Sequence, residues 1–471
     1  MSGIYGVASK EDCTELLFYG TDYHSHLGTE YGGMAVLGED FDRQIHVLSQ
    51  SQFKSKFFED YLKMKGNLGI GVISACEEQP IYLNSKFGPF CIVTNGFIEN
   101  AEELAEESFG KGMSFAEVSH GGVNMTELVA KLITQGDDIV DGIEKMFAAI
   151  KGSCSLLILK KEGVYAARDR YGYTPLIVGQ GDGAYAVTSE TSAFPNCDFE
   201  IVKYLEPGEI SLINENGVVQ KRAGGSVNQT CAFLWIYTGF PPSNYEGINV
   251  ETVREKCGQC LAKMDTDIDV DVVSGVPDSG VGHAIGYAME SKKPYRRPLV
   301  KYTAGYGRSY TPPTQRTRDL IAKMKLIPIK EVIDGNRILL CEDSIVRGTQ
   351  LKNFTIKKLW DAGAKEIHVR PACPPLMFPC KYNLSTRNIN ELSARKAIRS
   401  IEGHDIENVD EYVDNTSEKY RQMVEWIRKD IEISSLRFLK VDDMIEAIGL
   451  PKEKLCLYCW TGKCGDNNDE G

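Results

Sequence analysis

The sequence predicts two halves: a strand-rich α+β half over residues 1–225, and an α/β half with a parallel sheet over residues 226–471. Three observations predict it. In the first half, short apolar runs are separated by Gly, Asn and Asp turn signals, with periodic helical stretches among them. A polar, glycine-containing segment, GGSVNQT at 224–230, reads as a linker. Beyond it the pattern becomes strand, loop, helix, which implies parallel strands joined by crossover helices.

The elements follow in order. GVISAC (71–76), FCIVTN (90–95), SCSLLIL (153–159), VYAAR (164–168), PLIVG (175–179), AYAVTS (184–189) and GEISLI (208–213) read as strands. TELVAKLI at 126–133 and IVDGIEKMFAAI at 139–150 carry helical periodicity. In the second half, DVDVVSGVP (269–277) reads as a buried strand, followed by DSGVG and a helix through Met289. NRILLCED (336–343) is the next strand, with SIVRGT and a helix through about Ala362 after it; KEIHVRPA (365–372) is the third. The ending, WTGKCGDNNDEG, is polar. No internal repeat is present.

Composition narrows the function. With 42% hydrophobic and 25% charged residues in 471, the chain is globular rather than disordered or fibrous. The formal charge of −13, from 53 basic and 66 acidic residues, argues against nucleic acid or an anionic membrane as main partner. No run of 18 apolar residues occurs, and MSGIYGVASKEDC lacks a basic region followed by a long apolar one. A cytoplasmic chain is therefore expected. The 14 cysteines are too thinly spread for a secreted disulfide scaffold, and Cys91 and Cys341, inside apolar runs, read as small core residues. Two C-x-x-C pairs stand apart, Cys257/Cys260 and Cys456/Cys459.

The most specific signal is Leu339-Leu340-Cys341-Glu342-Asp343-Ser344-Ile345-Val346-Arg347-Gly348-Thr349. An apolar strand ends in two adjacent acids, a loop with Ser, Arg, Gly and Thr follows, and a helix begins. Such a loop offers backbone N–H groups, hydroxyls and a helix N-terminus to a phosphate. The acidic pair suits ribose hydroxyls or a hydrated Mg²⁺.

This run resembles the PRPP-binding signature of type I phosphoribosyltransferases, and the whole chain resembles the amidophosphoribosyltransferase family of purine synthesis. The resemblance implies that Val276-Pro277-Asp278-Ser279-Gly280 is the pyrophosphate loop. It also implies that Tyr306-Gly307-Arg308-Ser309-Tyr310, with Gln315 and Arg318, opens the family's catalytic loop, and that Lys325 binds pyrophosphate. Asp278, Ser279 and Gly280 would then face the pyrophosphate, with Arg308, Arg318 and Lys325 closing over it and excluding water. Ser344, Ile345, Val346, Arg347, Gly348 and Thr349 would hold the 5-phosphate. Glu342 and Asp343 would hold ribose and, with Ser279, Mg²⁺. Glu342 stands where the family more commonly has Asp.

The first half resembles the class II glutamine amidotransferase domain, an Ntn-hydrolase fold of αββα layers. Ser2-Gly3-Ile4-Tyr5-Gly6-Val7, the oxyanion-hole-like Asn95-Gly96, Arg168 to Leu176 and Ser189-Glu190 carry the likeness. The family's nucleophile is an N-terminal cysteine whose α-amino group is its base; here Ser2 occupies that position, as a vestigial nucleophile. The family's glutamine-carboxylate Arg reads Ser74, and its glutamine-ammonium Asp reads Met125. His-Arg-Gly becomes His26-Leu27-Gly28. Productive glutamine binding is not expected. An engineered Ser2 would leave Ser74 and Met125 unexplained.

Some members of the family carry a [4Fe–4S] cluster, and the resemblance implies Cys231, Cys380, Cys456 and Cys459 as its ligands. Zn on the two C-x-x-C pairs is the competing reading. The leading expectation is an enzyme making 5-phosphoribosylamine from PRPP and ammonia, with Mg²⁺, without its own glutaminase. The alternatives are another amine or base as acceptor, or a PRPP- or nucleotide-sensing regulator. The resemblance further implies nucleotide effectors and a homo-oligomer, dimer or tetramer.

Overall fold

The computed structural model describes residues 2–49, 51–119, 122–302, 324–383 and 388–463. The chain folds into two units. The first holds residues 1–231 with two returning segments, 243–246 and 381–385; the second holds the remainder.

The first unit is built on two stacked antiparallel sheets. Its strands are β1 (Gly3–Ser9), β2 (Tyr31–Leu37), β3 (Phe41–Val47), β4 (Leu68–Ser74), β5 (Ile81–Ser85), β6 (Gly88–Ile98), β7 (Gly152–Lys160), β8 (Gly163–Ala167), β9 (Ile177–Gly181), β10 (Ala184–Thr188), β11 (Glu200–Tyr204), β12 (Ile210–Asn214) and β13 (Gly217–Arg222). One sheet runs β11-β9-β10-β1-β4-β2-β3 and the other β13-β12-β8-β7-β6-β5. Ile4, Ile70, Val72 and Val187 from the first meet Cys91, Val93, Leu157 and Leu159 from the second in one buried core. The alternate residues of β6 and β7, Phe90, Ile92, Leu156 and Ile158, face the other way and pack with three helices. These are α3 (Ala101–Gly110), α4 (Met125–Ile133) and α5 (Ile139–Ala149). Burial on both faces explains why these antiparallel strands read as unbroken apolar runs.

On the outer side of the first sheet lie α1 (Thr14–Asp22) and α2 (Phe53–Tyr61). Glycines in β4 set the approach of α1: a Cβ on Gly71 would stand 2.0 Å from Thr21 Oγ1, and one on Gly69 2.7 Å from Leu17 Cδ2. The layers are thus helix, sheet, sheet, helix, as the resemblance implies.

The second unit has a parallel sheet of β14 (Val272–Gly275), β15 (Arg337–Glu342), β16 (Glu366–Pro371) and β17 (Ser435–Leu436), adjacent in that order. Helices α6 (Val250–Met264) and α7 (Val281–Ser291) cross closely, because Gly258 and Gly286 leave no side chain between them; a Cβ on either would sit 1.9 Å from a carbonyl oxygen of the other helix. Ile338 and Leu340 of β15 share a core with α8 (Lys357–Asp361), α9 (Ser393–Glu402) and α10 (Glu418–Ile431). A π-helical segment, Leu351–Ile356, leads into α8. No described helix is long and apolar enough to cross a membrane.

Candidate active site

Ligands of open parallel sheets bind outside the carboxyl ends of the strands, and the acidic motif lies there. β15 delivers Glu342 and Asp343, 9% and 6% exposed, to the sheet's carboxyl edge. The loop after β14 folds back onto this edge. Gly280 makes that possible: a Cβ there would meet the Cys341 carbonyl oxygen at 2.2 Å and Val276 N at 2.7 Å. As a result Ser279 Oγ donates to Glu342 Oε1 at 2.9 Å, and Asp343 N donates to the same oxygen at 3.1 Å. Ser344 Oγ donates to Asp343 Oδ1 at 2.6 Å. Burial, then the neighbouring Asp343 charge, push the Glu342 carboxyl well above the ordinary range.

The rest of the motif wraps a helix start. Gly348 has φ +75°, a left-handed conformation natural to glycine. Its carbonyl accepts the first helical bond, from Lys352 N at 2.9 Å. Ile345 is buried, and the Val346 carbonyl accepts from Ser393 N at 2.7 Å, which fixes the loop to α9. Arg347 and Thr349 are exposed, and Arg347 pairs with Glu391 at 2.5 Å.

Asp278, on the exposed tip of the β14 loop, pairs with Lys301 Nζ at 2.9 Å. Lys301 ends the strand Leu299–Lys301, paired antiparallel to Leu326–Pro328. Lys325 immediately precedes that second strand, is exposed, and its carbonyl accepts from Tyr302 N at 2.8 Å. Lys301 and Lys325 therefore share one ribbon. The sequence reading missed Lys301, because a single lysine at the end of an apolar LVK run carries no pattern. Arg308 and Arg318, with Tyr306, Gly307, Ser309, Tyr310 and Gln315, lie outside the described residues.

In the first unit Ser2 is buried against β6. Its N–H donates to Asn95 Oδ1 at 3.1 Å, and its Oγ accepts from Ala75 N at 3.2 Å. Asn95 is 1% exposed, and its Nδ2 has no hydrogen-bond partner among the described residues. A Cβ on Gly96 would stand 2.0 Å from the Ser153 carbonyl oxygen, so only glycine fits beside Asn95, where β6 pairs with β7. Ser74 is fully buried, and its hydroxyl accepts from Glu77 N at 3.1 Å, closing a tight turn. The Glu77 carboxylate caps α4, accepting from Met125 N at 2.7 Å and Thr126 N at 3.2 Å. Glu77 is the second residue the sequence reading missed. It places a carboxylate beside Met125, and no Lys, Arg or His is among the described residues that line the cleft at Ser2.

The remaining motif residues of this unit make hydrogen bonds and ion pairs within it. Asp169 accepts from the backbone N–H of Tyr171, Tyr173 and Thr174, and Arg168 pairs with Glu246 at 2.7 Å. Ser189 Oγ accepts from Ile4 N at 3.1 Å, tying down β1. His26 sits 3.1 Å from Glu190, which also accepts from Tyr245 OH at 2.9 Å. Burial alone would raise the Glu190 carboxyl; the histidines and these hydrogen bonds overcome it and hold it at about 2.

Of the four cysteines implied for a cluster, Cys231 closes the first unit, and Cys380, Cys456 and Cys459 belong to the second. The Cys459 carbonyl accepts from Met377 N and Phe378 N at 2.9 and 3.1 Å, so the segment before Cys380 adjoins the C-terminal turn. The donor chemistry suits iron–sulfur ligation. Among the described residues, however, no three or more His, Cys, Asp or Glu side chains are grouped to hold a metal ion. Burial raises the thiols of both Cys257 and Cys260, which disfavours the thiolate a zinc site needs.

Two antiparallel sheets enclosed by helices, joined in one chain to a parallel sheet with an acidic edge and a glycine-turned loop, define a two-part enzyme of the amidotransferase class. Residues 66–196 match a family model described as a glutamine amidotransferase domain. The amidophosphoribosyltransferase of Methanocaldococcus jannaschii is 32% identical, over 98% of this chain and 97% of its own length. That of Bacillus subtilis is 30% identical over 98% and 93%. A solved allosteric regulatory enzyme of purine biosynthesis superposes with a TM-score of 0.84 at 30% identity, covering 98% of this chain and 96% of its own. The B. subtilis glutamine PRPP amidotransferase complexed with ADP and GMP superposes at 0.83 and 30% identity, covering 98% and 97%. The chain belongs to the amidophosphoribosyltransferase family.

Proposed function

We propose that this chain displaces pyrophosphate from PRPP with ammonia, giving 5-phosphoribosylamine, and that it does so without hydrolysing glutamine. The observation that carries the reading is the joining of the β14 loop to the acidic edge through Ser279 and Glu342, 2.9 Å apart.

Breaking the anomeric C–O bond develops cationic character on ribose and negative charge on pyrophosphate. Glu342 and Asp343 would accept from the ribose hydroxyls and stabilise the sugar's positive charge. The N–H groups and hydroxyls of Ser344, Arg347, Gly348 and Thr349, at a helix start, would hold the 5-phosphate. Asp278 and Ser279 would face the pyrophosphate, with Lys301 and Lys325 supplying positive charge from their shared ribbon. The same role for Arg308 and Arg318 rests on the resemblance alone. Mg²⁺, held by Ser279, Glu342 and Asp343, would supply Lewis-acid stabilisation of the departing charge.

The absence of a glutaminase rests on Ser2, Ser74 and Met125. A serine hydroxyl is scarcely ionised at neutral pH, and the α-carboxylate of glutamine finds no cation at Ser74. A structural [4Fe–4S] cluster on Cys231, Cys380, Cys456 and Cys459 belongs to the same proposal, supported by the four matching positions. Nucleotide control, a homo-oligomeric state and a cytoplasmic location are extended to this chain from its family.

Calorimetric titration of PRPP with Mg²⁺ tests the ribose assignment. Asp343→Asn removes a charge-assisted acceptor, so affinity is expected to fall by roughly 1–3 kcal/mol, about 5- to 150-fold. Unchanged affinity would remove Asp343 from the site.

A further inference from the structure

The hydrogen bonds behind the motif loop decide which way its donors face. A peptide unit is planar and trans, so its carbonyl and the N–H that follows point in opposite directions. Two successive carbonyls of the loop are held by the first turn of α9. The Val346 oxygen accepts from Ser393 N at 2.7 Å, and the Arg347 oxygen lies 3.4 Å from Lys396 Nζ. Ser393 and Lys396 are three residues apart, on one helix face. A Cβ on Gly348 would meet Ser393 Oγ at 3.5 Å and Ile431 Cγ1 at 3.7 Å, so α9 and α10 together back the loop.

The N–H groups of Arg347 and Gly348 are thereby turned away from α9. Among the described residues neither meets an acceptor. Gly348, at φ +75°, carries the chain through the left-handed region, and successive N–H groups in such a turn form a concavity suited to an anion. The Arg347 guanidinium is engaged elsewhere, with Glu391 of the turn Ile389–Glu391 that leads into α9. The donors the loop offers here are therefore backbone groups, and α9 fixes their direction. The half-buried Lys396 adds a second effect: its charge beside the Arg347 carbonyl polarises that peptide and strengthens the Gly348 N–H as a donor.

We propose that Ser393 and Lys396 are positioning residues of the 5-phosphate subsite: α9 holds the Val346 and Arg347 carbonyls back, so that the Arg347 and Gly348 N–H groups face the phosphate. Both act through the loop and neither touches the ligand. Ser393 acts by its backbone N–H. Its hydroxyl is buried, with no hydrogen-bond partner among the described residues, and takes no part. The inference deepens the PRPP reading and rests on it.

The test titrates the full-length protein calorimetrically with D-ribose 5-phosphate and, separately, with pyrophosphate and Mg²⁺. Ser393→Pro deletes the N–H without breaking α9. Ser393 is the first residue of that helix, where proline is tolerated, and Leu392, at φ −65° and ψ 127°, already has the backbone that proline demands of its predecessor. It is expected to weaken ribose 5-phosphate about fivefold. Lys396→Met keeps the aliphatic stem and is expected to weaken it about threefold, with Lys396→Arg restoring it. Ser393→Ala keeps the N–H and is expected to lose less than Ser393→Pro. Pyrophosphate, assigned to the β14 loop, is expected to bind these variants alike, which general damage to the fold would not allow. Circular dichroism checks Ser393→Pro, and Lys396→Met carries the test if that variant fails to fold. Native affinity for ribose 5-phosphate in Ser393→Pro or Lys396→Met, or an equal loss in Ser393→Ala, overturns the inference and leaves the PRPP reading standing. Failure of the native protein to bind ribose 5-phosphate overturns both.

Discussion

Replacing Glu342 by Gln separates the needs of folding from those of the ligand. Glu342 is buried, with Asp343 beside it, and both effects raise its carboxyl pKa. Its Oε1 accepts from Ser279 Oγ and Asp343 N. An amide oxygen accepts the same two bonds, so Glu342→Gln keeps the local geometry and removes only the charge. One pKa unit corresponds to about 1.4 kcal/mol. Relief of the buried charge is therefore expected to stabilise the folded chain by about 1 kcal/mol at neutral pH, roughly 1–2 °C in melting temperature for a chain of this length. The sign follows from linkage. Between the ordinary glutamate pKa, about 4.3, and the raised folded value, the native state binds more protons than the unfolded state, so native stability falls as pH rises through that window. The advantage of Glu342→Gln should thus be small near pH 4 and grow toward neutrality. PRPP affinity should move the other way, falling by about 1.5–3 kcal/mol as a charged acceptor becomes neutral. Thermal melts across pH and calorimetry with PRPP and Mg²⁺ read both. A lower melting temperature at neutral pH together with unchanged PRPP affinity would refute the reasoning.

Three further outcomes are expected. Lys301→Ala frees the exposed Asp278 from its 2.9 Å partner; stability should change by less than about 1 kcal/mol, because exposed pairs contribute little, while the KM for PRPP rises, and an unchanged KM would argue against a role for this lysine. Gly280→Ala forces a Cβ to within 2.2 Å of the Cys341 carbonyl oxygen, so the β14 loop must lift from β15; a cost of roughly 1–3 kcal/mol in urea unfolding should accompany weaker PRPP binding, and normal binding would show that the loop's contact is dispensable. Cys456→Ser or Cys380→Ser should lose iron and the brown colour of anaerobically prepared protein; full iron content in both variants would remove these cysteines as ligands.

The sequence made the strands of the first unit legible where burial on both faces gave unbroken apolar runs, as in SCSLLIL and FCIVTN. It did not reveal β2, whose YGGMAVL carries Gly32 and Gly33 where close neighbours pack, nor α1, whose TELLFYGTD has a glycine where Tyr5 packs. In the second unit the acidic motif was legible because its chemistry is concentrated in consecutive residues. The contact between Ser279 and Glu342 spans 63 positions, and only the fold of the β14 loop creates it. The role of Glu77 was hidden for a similar reason: CEEQP carries no signal, and its partners, Met125 and Thr126, are about 50 residues away. The excursions 243–246 and 381–385 into the first unit have no compositional mark. Tyr245 and Glu246 reach Glu190 and Arg168 by tertiary contact alone.

The central claim concerns the source of nitrogen, and one measurement addresses it directly. Pyrophosphate release from PRPP with Mg²⁺ is followed with ammonium chloride or L-glutamine as donor, and glutamate release is followed in parallel, in the native protein and in Ser2→Cys. Expected is turnover with ammonia, and no glutamate release from either protein, because Ser74 leaves the α-carboxylate of glutamine without the family's arginine, Met125 leaves its α-ammonium without the family's aspartate, and Ser2→Cys restores only a nucleophile. Glutamine-driven turnover by either protein near about 1 s⁻¹ or above, the ordinary range for enzymes, would contradict this and show that the Ser2 cleft holds glutamine after all.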